Sequence, residues 1–256
     1  MTLIEIAIVI AFSLCFGSFA NVCIFRLPVD KSMLGRSECM HCNKPVPFYL
    51  NIPILGFLIL QGQSACCQKP LSFQYPIVEG TATIGALYLG STYGVNIESI
   101  FAYFFYLSLL IIFYTDFNEY IIPNIITYSL SGIGVLIAYF SLSIFDLSLF
   151  ESLLGGIISG SILYTTSKIF LIIRKIEGMG MGDVKMISMI GFWMGLENTF
   201  LVLIASSLLG SVIGIGLILT KRMDRSQYIP FGTFLSVGSV IIWFIKIYFS
   251  NSFLTF

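Results

Sequence analysis

The sequence predicts an all-α polytopic membrane protein with about eight transmembrane helices and one cytoplasmic cysteine-containing loop after the first helix. Of its 256 residues, 57% are hydrophobic and only 10% are charged, and the mean hydropathy is +0.95. Soluble globular proteins carry about 25% charged residues. Long apolar runs recur along the chain, and the one sizeable polar segment between them is 26–75. This balance excludes a soluble enzyme, a disordered chain and a secreted disulfide scaffold.

Eight apolar runs are candidate transmembrane helices, since a helical crossing needs about 20 residues. They are residues 3–25, 76–94, 99–115, 124–145, 149–173, 178–196, 199–219 and 230–249. The first run is too long for a cleavable signal peptide and has no basic residue ahead of it, so we expect a retained helix. Gly156 with Gly160, and Gly210 with Gly214, have the spacing that permits close helix packing.

The basic residues indicate how the helices are oriented. If the runs alternate across the membrane, one side receives the segments 26–75, 116–123, 174–177 and 220–229. All but one of the 13 lysines and arginines lie in or near these segments, the exception being Lys246. The positive-inside rule makes this side cytoplasmic. Because the net charge is zero, no basic field suggests a nucleic-acid partner, and we expect none.

Two aspartates, Asp116 and Asp183, are the first candidates for a functional site. Both fall on the cytoplasmic side, at the end of the third run and at the start of the sixth. Residues 186–196 are too few to cross a bilayer, so the sixth helix must include 178–185, which draws Asp183 about 7 Å below the interface. Carboxylates at such depth are costly and are usually functional or partnered. For either residue alone, a helix-end acid or a cap is the structural alternative.

A pair of carboxyl groups can perform the chemistry of an aspartic protease. Two nearby carboxyl groups do not both ionise readily, so they share a proton. The ionised member deprotonates a water while the neutral one polarises a peptide carbonyl, without a metal. Gly180 and Gly182 lack a Cβ and would let a substrate chain come close to Asp183. Lys185, two residues further on, either tunes this carboxylate or is a cytoplasmic anchor.

The polar segment holds four of the six cysteines, namely Cys39, Cys42, Cys66 and Cys67. At about 50 residues it cannot bury much core, so we expect a metal or the membrane to stabilise it. In a reducing cytosol the spacing favours zinc over disulfides. The firmer ligands are Cys39, Cys42 and Cys67. Ser64 stands where a second Cys-x-x-Cys pair would begin, so the fourth ligand is Cys66 or His41. A loop with free thiols and no metal is the alternative.

Short motifs occur in order along nearly the whole chain. The N-terminal half has Gly17-Ser18-Phe19-Ala20-Asn21-Val22 with Arg26-Leu27-Pro28, then Asn51-Ile52-Pro53-Ile54 and Tyr75-Pro76-Ile77-Val78-Glu79. The C-terminal half has Thr115-Asp116 with Ile122-Pro123, then Glu177-Gly178-Met179-Gly180-Met181-Gly182-Asp183-Val184-Lys185, and Pro230-Phe231-Gly232. Together these motifs resemble those of the type IV prepilin peptidases, the bifunctional leader peptidase/N-methyltransferases of bacterial pilus and type II secretion systems.

The resemblance implies a Gly-x-Gly-Asp intramembrane aspartic peptidase in which Asp116 and Asp183 are the catalytic pair. It implies cleavage of a short basic leader from type IV prepilins or pseudopilins, after a glycine and at the cytoplasmic face of the bacterial inner membrane. It also implies methylation of the new N-terminus, with S-adenosylmethionine as the methyl donor. In this family the methyl-transfer half is N-terminal and carries a four-cysteine zinc site.

Carried onto this chain, the family pattern divides it into two domains. Residues 1–98 would be the methyltransferase-associated part, with Glu79 as the acid of the Tyr-Pro-x-x-Glu motif. Residues 99–256 would be the six-helix peptidase domain. From the residues alone, Glu79 is equally well interpreted as an acid at the membrane interface.

Two positions depart from the family pattern. Ser64 takes the place of the third family cysteine, which weakens the expectation of zinc binding and of methyl transfer, although Cys66 can compensate. Asn124 stands where an aspartate often follows the proline. Because Asp116 is intact, we expect peptidase activity to be kept.

Two other functions could use the same residues. A proton-coupled transporter or ion channel would use the two aspartates as a relay. Transporters usually show internal repeats, and we find no convincing one across this chain. A thiol-redox membrane protein would use Cys39 and Cys42, but the expected cytoplasmic location argues against it.

Overall fold

The computed structural model describes residues 1–175, 180–222 and 229–253, with side chains up to Tyr248. Over these residues the chain forms eight α-helices and, apart from two isolated bridges, no β-structure. The helices are α1 Leu3–Arg26, α2 Leu55–Ile59, α3 Gln74–Tyr93, α4 Ile97–Glu119, α5 Asn124–Tyr139, α6 Leu149–Arg174, α7 Met181–Leu219 and α8 Phe231–Phe253. The predicted all-α fold is therefore confirmed. Glu177, Gly178 and Met179 of the glycine-rich motif lie outside the described residues, as does Arg225.

Five of the described helices, α1, α4, α6, α7 and α8, are long and apolar enough to cross a membrane. Helix α5 is apolar but has only 16 residues, and α3 is not among the five. These helices support a multi-pass membrane protein, but the predicted count of eight spans is not confirmed. The difference arises partly because the predicted sixth and seventh runs lie in a single long element, α7.

Helix α7 is interrupted at Gly195, whose φ of 75° and ψ of 172° are not helical. Glycine permits this break because residues with a Cβ rarely adopt such a φ. Near the beginning of α7, Gly182 packs on Ile122, as does the start of α8. Near the end of α7, Gly214 faces Ile229, which directly precedes α8. Both ends of α7 therefore lie by the start of α8, and the two halves of α7 run in opposite directions.

The chain divides into two compact units, Met1–Ile111 and Ile112–Phe256. In the first unit, α1 packs directly against α3. A Cβ on Gly17 would lie 3.0 Å from the Cα of Glu79 and 3.1 Å from the Cβ of Ala82. The absence of a side chain at Gly17 thus sets how closely the two helices approach, and it places the Glu79 segment of α3 directly against α1.

In the second unit, α6 and α7 pack through the small residues that the sequence indicated. A Cβ on Gly156 would overlap the ring of Phe192, and one on Gly160 would lie 3.0 Å from the Cβ of Ser188. The Ser188 hydroxyl donates to the carbonyl of Gly156 at 2.8 Å. The predicted close packing at this glycine pair is confirmed.

Helix α4 continues beyond the predicted end of the third run, through Glu119. Tyr120 follows in a left-handed conformation with φ 57°, and its N–H donates to the carbonyl of Asp116 at 2.9 Å. Asp116 therefore lies inside the helix, one turn before its end. Falling hydropathy marks where the apolar run stops, whereas the helix continues as long as its backbone hydrogen bonds do.

Candidate functional site

Asp116 is a buried carboxylate that accepts hydrogen bonds from the start of α8. Its side chain is 5% exposed. The N–H of Thr233 donates to Oδ2 of Asp116 at 2.7 Å, and the Thr233 hydroxyl lies 3.1 Å from the same oxygen. Hydrogen bonds to a carboxylate are stronger than those between neutral groups. They fix the orientation of this side chain.

Asp183 lies in the first turn of α7 and is half-buried. Its N–H donates to the carbonyl of Gly180 at 3.2 Å. The positive end of the helix dipole favours a negative charge at this position. The carboxyl groups of Asp183 and Asp116 interact electrostatically. The structure thus brings the two aspartates singled out in the sequence into one site, from α7 and α4.

The glycines near the aspartates make room chiefly for Ile122. A Cβ on Gly182 would lie 3.2 Å from the Cβ of Ile122. One on Gly232 would lie 2.6 Å from the Cδ1 of Ile122 and 3.0 Å from Oδ2 of Asp116. Among the described residues, a Cβ on Gly180 would reach only Asp183 and the amide of Gly182, at 3.7 Å and 3.9 Å, which are ordinary contact distances. Gly182 and Gly232 therefore pack against the chain itself, whereas Gly180 has no such close contact with the described residues.

Lys185 is held by α5. Its Nζ donates to Oδ1 of Asn124 at 2.8 Å and lies 5.3 Å from the ring centroid of Tyr128. Asn124 is the residue that replaces the family's aspartate, and it keeps an acceptor for the lysine. The observed contacts of Lys185 are with α5, so it links α7 to α5 two residues after Asp183.

The four cysteines of the polar segment converge. The Sγ atoms of Cys39, Cys42, Cys66 and Cys67 all lie within 4.8 Å of one another. Cys39 and Cys67 are 3.7 Å apart at sulfur, and Cys42 and Cys66 are 2.9 Å apart. His41, the other candidate for a fourth ligand, lies outside this group, and its Nε2 is 3.3 Å from the carbonyl of Pro70.

The cysteines lie on two turns of the same construction. One turn is Glu38-Cys39-Met40-His41-Cys42-Asn43-Lys44-Pro45, and the other is Gln63-Ser64-Ala65-Cys66-Cys67-Gln68-Lys69-Pro70. Each is closed by an antiparallel bridge between its first and last residues. The Cys39 N–H donates to Lys44 at 2.9 Å, and the Ser64 N–H donates to Lys69 at 2.8 Å. Sequence inspection missed this short repeat, although the shared Lys-Pro ending could have revealed it.

The repeat places Ser64 at the position of Cys39 and Cys66 at the position of His41. Cys67 corresponds to Cys42. The second turn has therefore lost its outer cysteine and gained one next to its inner cysteine. Cys66 is exposed at the tip of the turn, yet its sulfur reaches the cluster.

Ser64 has a direct effect on the cluster. Its Oγ lies 3.1 Å from the sulfur of Cys39, and this hydrogen bond is the main cause that lowers the pKa of Cys39 to about 5. The Cys66 thiol is the main cause that raises the pKa of Cys42 to about 12. The hydrogen bond from Ser64 therefore favours a thiolate at Cys39 rather than at Cys42.

The first unit also contains a cavity of about 480 Å³. Its wall is formed by the C-terminal half of α1, the polar segment and the beginning of α3. Polar groups from all three line it, including Ser18, Asn21, Arg26, Ser64, Tyr75 and Glu79. Its volume lies within the range of small-molecule sites, and the cysteine turns contribute Cys39 and Cys66 to its wall.

Glu79 is 5% exposed and ties the polar segment to α3. Its Oε2 accepts a hydrogen bond from the N–H of Ile54 at 2.7 Å, and Ser18 also bonds this carboxylate. Ile54 has a φ of 59°, which is rare for a β-branched residue. Strained backbone of this kind persists where surrounding contacts hold it, often at functional sites.

Two residues of the sites were not selected from the sequence. Asn21 of α1 is 2% exposed; its Nδ2 donates to the carbonyl of Tyr75 at 3.2 Å, while its Oδ1 has no hydrogen-bond partner among the described residues. Thr233 is the residue after the Pro230-Phe231-Gly232 motif. Asn21 lies in a motif identified in the sequence, and Thr233 lies directly after one. What their side chains contact is visible only in the folded chain.

Two family models match the chain. Residues 11–93 match the bacterial peptidase A24 N-terminal domain, and residues 103–215 match the type IV leader peptidase family. The prepilin leader peptidase/N-methyltransferase of Aeromonas hydrophila is 31% identical over 93% of this chain and 90% of its own length. The protein of that name from Legionella pneumophila is 30% identical over 91% and 88%, and that from Pseudomonas putida 27% over 93% and 90%. No solved structure matches the chain.

These similarities cover both halves of the molecule, including the cysteine turns, Glu79, Asp116 and Asp183. They confirm the family that the sequence motifs indicated, and they give the transporter interpretation no support. By its matched domains and its near full-length relatives, the chain belongs to the type IV leader peptidase family.

Proposed function

We propose that this protein removes the basic leader from type IV prepilins or pseudopilins and methylates the N-terminus that cleavage exposes. Its family membership and the names of its relatives support both activities. The observation that carries the peptidase assignment is the interacting pair Asp116 and Asp183, contributed by separate helices within the matched residues 103–215.

The pair can hydrolyse a peptide bond without a metal. The ionised carboxyl group takes a proton from water, and the resulting hydroxyl oxygen attacks the carbonyl carbon at the cleavage site. The neutral carboxyl group gives its proton to the carbonyl oxygen. When the tetrahedral intermediate collapses, the C–N bond breaks and the leaving amine takes a proton from the pair.

The distribution of basic residues supports a cytoplasmic location for the aspartates and the cysteine turns in a bacterial inner membrane. A prepilin presents a basic leader followed by an apolar helix. The apolar part can approach from the bilayer, so that the leader junction reaches the two aspartates at the cytoplasmic interface. Gly180 lies next to Asp183 and has no side chain, so the substrate backbone would pass close to it.

The direct test is cleavage of a prepilin substrate by purified protein in detergent, with the product N-terminus identified by mass. Asp116→Asn and Asp183→Asn should each abolish cleavage while retaining the wild-type unfolding temperature. Asp146→Asn is the matched control, because this aspartate is exposed and lies between α5 and α6. Cleavage at the wild-type rate by either site variant would overturn the assignment.

For methyl transfer, the cavity in the first unit is the best-supported location. Its buried acceptors, the Glu79 carboxylate and the unpaired Oδ1 of Asn21, suit a donor such as a primary amine. Bound S-adenosylmethionine would supply an electrophilic methyl group. Glu79 would orient the substrate amine and accept the proton that it loses on methylation. Glu79 and the cavity both lie within the matched N-terminal domain.

The cysteine cluster fits a zinc ion. A tetrahedral site with Zn–S bonds of about 2.3 Å has sulfur–sulfur edges of about 3.8 Å. The 3.7 Å between Cys39 and Cys67 matches this edge. The 2.9 Å between Cys42 and Cys66 is shorter, so Cys66 would move outward, which its exposed position allows. Zinc would join the two turns and stabilise a segment with little core of its own.

These assignments give the two halves of the chain separate roles, in line with the domain division expected from the sequence. Residues 1–98 would carry methyl transfer and its zinc, and residues 99–256 would carry cleavage. The substrates of both steps would be the same prepilin or pseudopilin chains.

A further inference from the structure

We propose that Thr233 is a positioning residue that keeps Asp116 as the ionised, water-activating member of the pair and leaves Asp183 as the member that carries the proton. This inference rests on the proposed function, in which the two aspartates form the peptidase site.

Both donors of Thr233 reach the same oxygen of Asp116. The N–H is 2.7 Å from Oδ2, and the hydroxyl is 3.1 Å from it. The backbone of Gly232 also hydrogen-bonds this carboxylate. An oxygen that accepts two hydrogen bonds has little capacity left for a proton or for water. Oδ2 is therefore the anchored oxygen, and Oδ1 is the one left to act on water.

The Thr233 hydroxyl has a second acceptor within reach, the carbonyl oxygen of Phe113 at 3.4 Å. The carboxylate is nearer and carries charge, and charge-assisted hydrogen bonds are the stronger ones. The hydroxyl proton is therefore directed to Asp116 whenever this residue is ionised. Turning to Phe113 would accompany protonation of Asp116.

The helix dipoles act in the opposite sense but more weakly. Asp183 lies at the N-terminal end of α7, and Asp116 lies near the C-terminal end of α4. Such end effects change an ionisation equilibrium by up to about fivefold at exposed sites and by up to about thirtyfold at partly buried ones, which is less than the two hydrogen bonds of Thr233 give together. Hydrogen bonds to a charged group change it by about tenfold or more each. The hydrogen bonds of Thr233 therefore decide which carboxyl group ionises first.

Within the part of the chain that the structure describes, the other charged groups near the pair are bonded elsewhere or exposed. On α7, the ammonium of Lys185 bonds Asn124 of α5. At the end of α4, Glu119 is exposed. On α8, the described basic residue is Lys246, which lies over the ring of Phe145. Asp183 is thus the titratable partner that shares a proton with Asp116.

This asymmetry assigns each proton in the reaction. Asp116 Oδ1 takes the proton from water as the C–O bond forms, and Asp183 gives its proton to the substrate carbonyl oxygen. On collapse the proton held by Asp116 passes to the leaving nitrogen as the C–N bond breaks, and the carbonyl proton returns to Asp183. The pair ends in its starting state, with one water consumed.

The test compares Thr233→Val, Thr233→Ser and a control in the cleavage assay over a range of pH. Valine keeps the shape and the N–H but removes the hydroxyl, whereas serine keeps both donors. We expect Thr233→Val to lower kcat about tenfold with KM unchanged, and to move the acidic limb of the pH–rate profile upward by about one pH unit. The upward direction follows because an ionised Asp116 without the hydroxyl forms only at higher pH. Thr233→Ser should restore both properties.

Ser239→Ala is the matched control, because Ser239 is a buried hydroxyl two turns along α8 whose bond is to Leu235 of the same helix. It should leave rate and pH profile unchanged. If Thr233→Val does not fold, Thr233→Ala replaces it, and we expect the same loss of rate and the same shift of the acidic limb. An acidic limb that stays in place, or a defect that serine does not rescue, would overturn the role of Thr233. If the aspartate-to-asparagine variants themselves cleave normally, the proposed function fails instead.

Discussion

The hydroxyl oxygen of Ser64 lies 3.1 Å from the sulfur of Cys39, and the two residues occupy equivalent positions in a pair of matching turns. The first turn keeps the cysteine pair that a zinc site requires, and the second has exchanged its outer cysteine for serine. Cys66, at the position of His41 in the first turn, brings a fourth sulfur into the group. The chain therefore brings four sulfur atoms together in an altered arrangement.

With zinc bound as proposed, we expect its binding to depend on Cys66, because the altered arrangement offers no other sulfur as the fourth ligand. We expect wild-type protein to contain about one zinc per chain and Cys66→Ser to lose most of it. In a Ser64→Cys background, Cys66→Ser should be tolerated, because the second turn then has its outer cysteine. The zinc content of each variant is measured after dialysis against a chelator. Cys15→Ser is the control, since Cys15 lies in α1 outside the cluster. Zinc that survives Cys66→Ser in the wild-type background would contradict the prediction.

Substitution of Gly232 should impair cleavage without unfolding the protein. A Cβ at this position would lie 2.6 Å from Cδ1 of Ile122 and 3.0 Å from Oδ2 of Asp116, so Gly232→Ala must displace one of them. We expect cleavage to fall about 10- to 100-fold, since small displacements of a reacting group have effects of this size. Gly132→Ala is the control, because nothing lies within 4 Å of its added methyl group. Equal rates in the two variants would refute this account of Gly232.

Substitution of Glu79 should separate the two proposed activities. Glu79→Gln keeps the size of the side chain and an acceptor for the Ile54 amide, but it removes the base. We expect methylation to be lost and leader cleavage to stay within about twofold of wild type, because proton acceptance by Glu79 belongs to methyl transfer alone. The products are distinguished by the mass of their N-termini. Glu98→Gln, outside the cavity, serves as control. Loss of cleavage together with methylation would assign Glu79 a structural role.

The contact of α6 with α7 should be sensitive to one methyl group. A Cβ on Gly155 would overlap the carbonyl of Gly191 and lie 2.9 Å from the backbone of Gly195. Backbone has little freedom to move, so Gly155→Ala should destabilise the protein by about 1–3 kcal/mol. Gly216→Ala, with nothing within 4 Å of its added methyl, should be neutral or slightly stabilising. Thermal unfolding in detergent compares the two, and equal unfolding temperatures would contradict the packing described for Gly155.

Much of the architecture could be predicted because hydropathy reports where a chain is apolar. The positions of most helices follow from it, and so does the polar segment after α1. The reversal inside α7 lies close to the predicted boundary between the sixth and seventh runs, but the positive-φ glycine that makes it could not be predicted, since a glycine in an apolar run is also compatible with a continuous helix. The extension of α4 through Glu119 was likewise hidden, because polar residues can continue a helix whose apolar run has stopped.

The residues of the site that could be predicted from the sequence are those whose burial costs free energy. Asp116 and Asp183 could be identified because a carboxylate in an apolar segment is costly and is usually functional or paired. Thr233 did not stand out, because a threonine in an apolar helix usually bonds its own backbone and nothing in its sequence position shows the aspartate opposite. Asn21 was overlooked for the same reason. The position of the second cysteine pair was recognised despite Ser64, but the shared Lys-Pro ending, which makes the two segments a repeat, was overlooked.

The described groups that hold Asp116 and Asp183 all come from residues beyond 111, whereas the cysteine turns, Glu79 and the cavity come from residues before it. Natural selection can therefore act on the two chemistries separately, and a lineage that no longer needs one of them can let its residues drift. The serine at position 64 is the kind of change that such a division of the chain tolerates, since the acid pair gains and loses nothing by it.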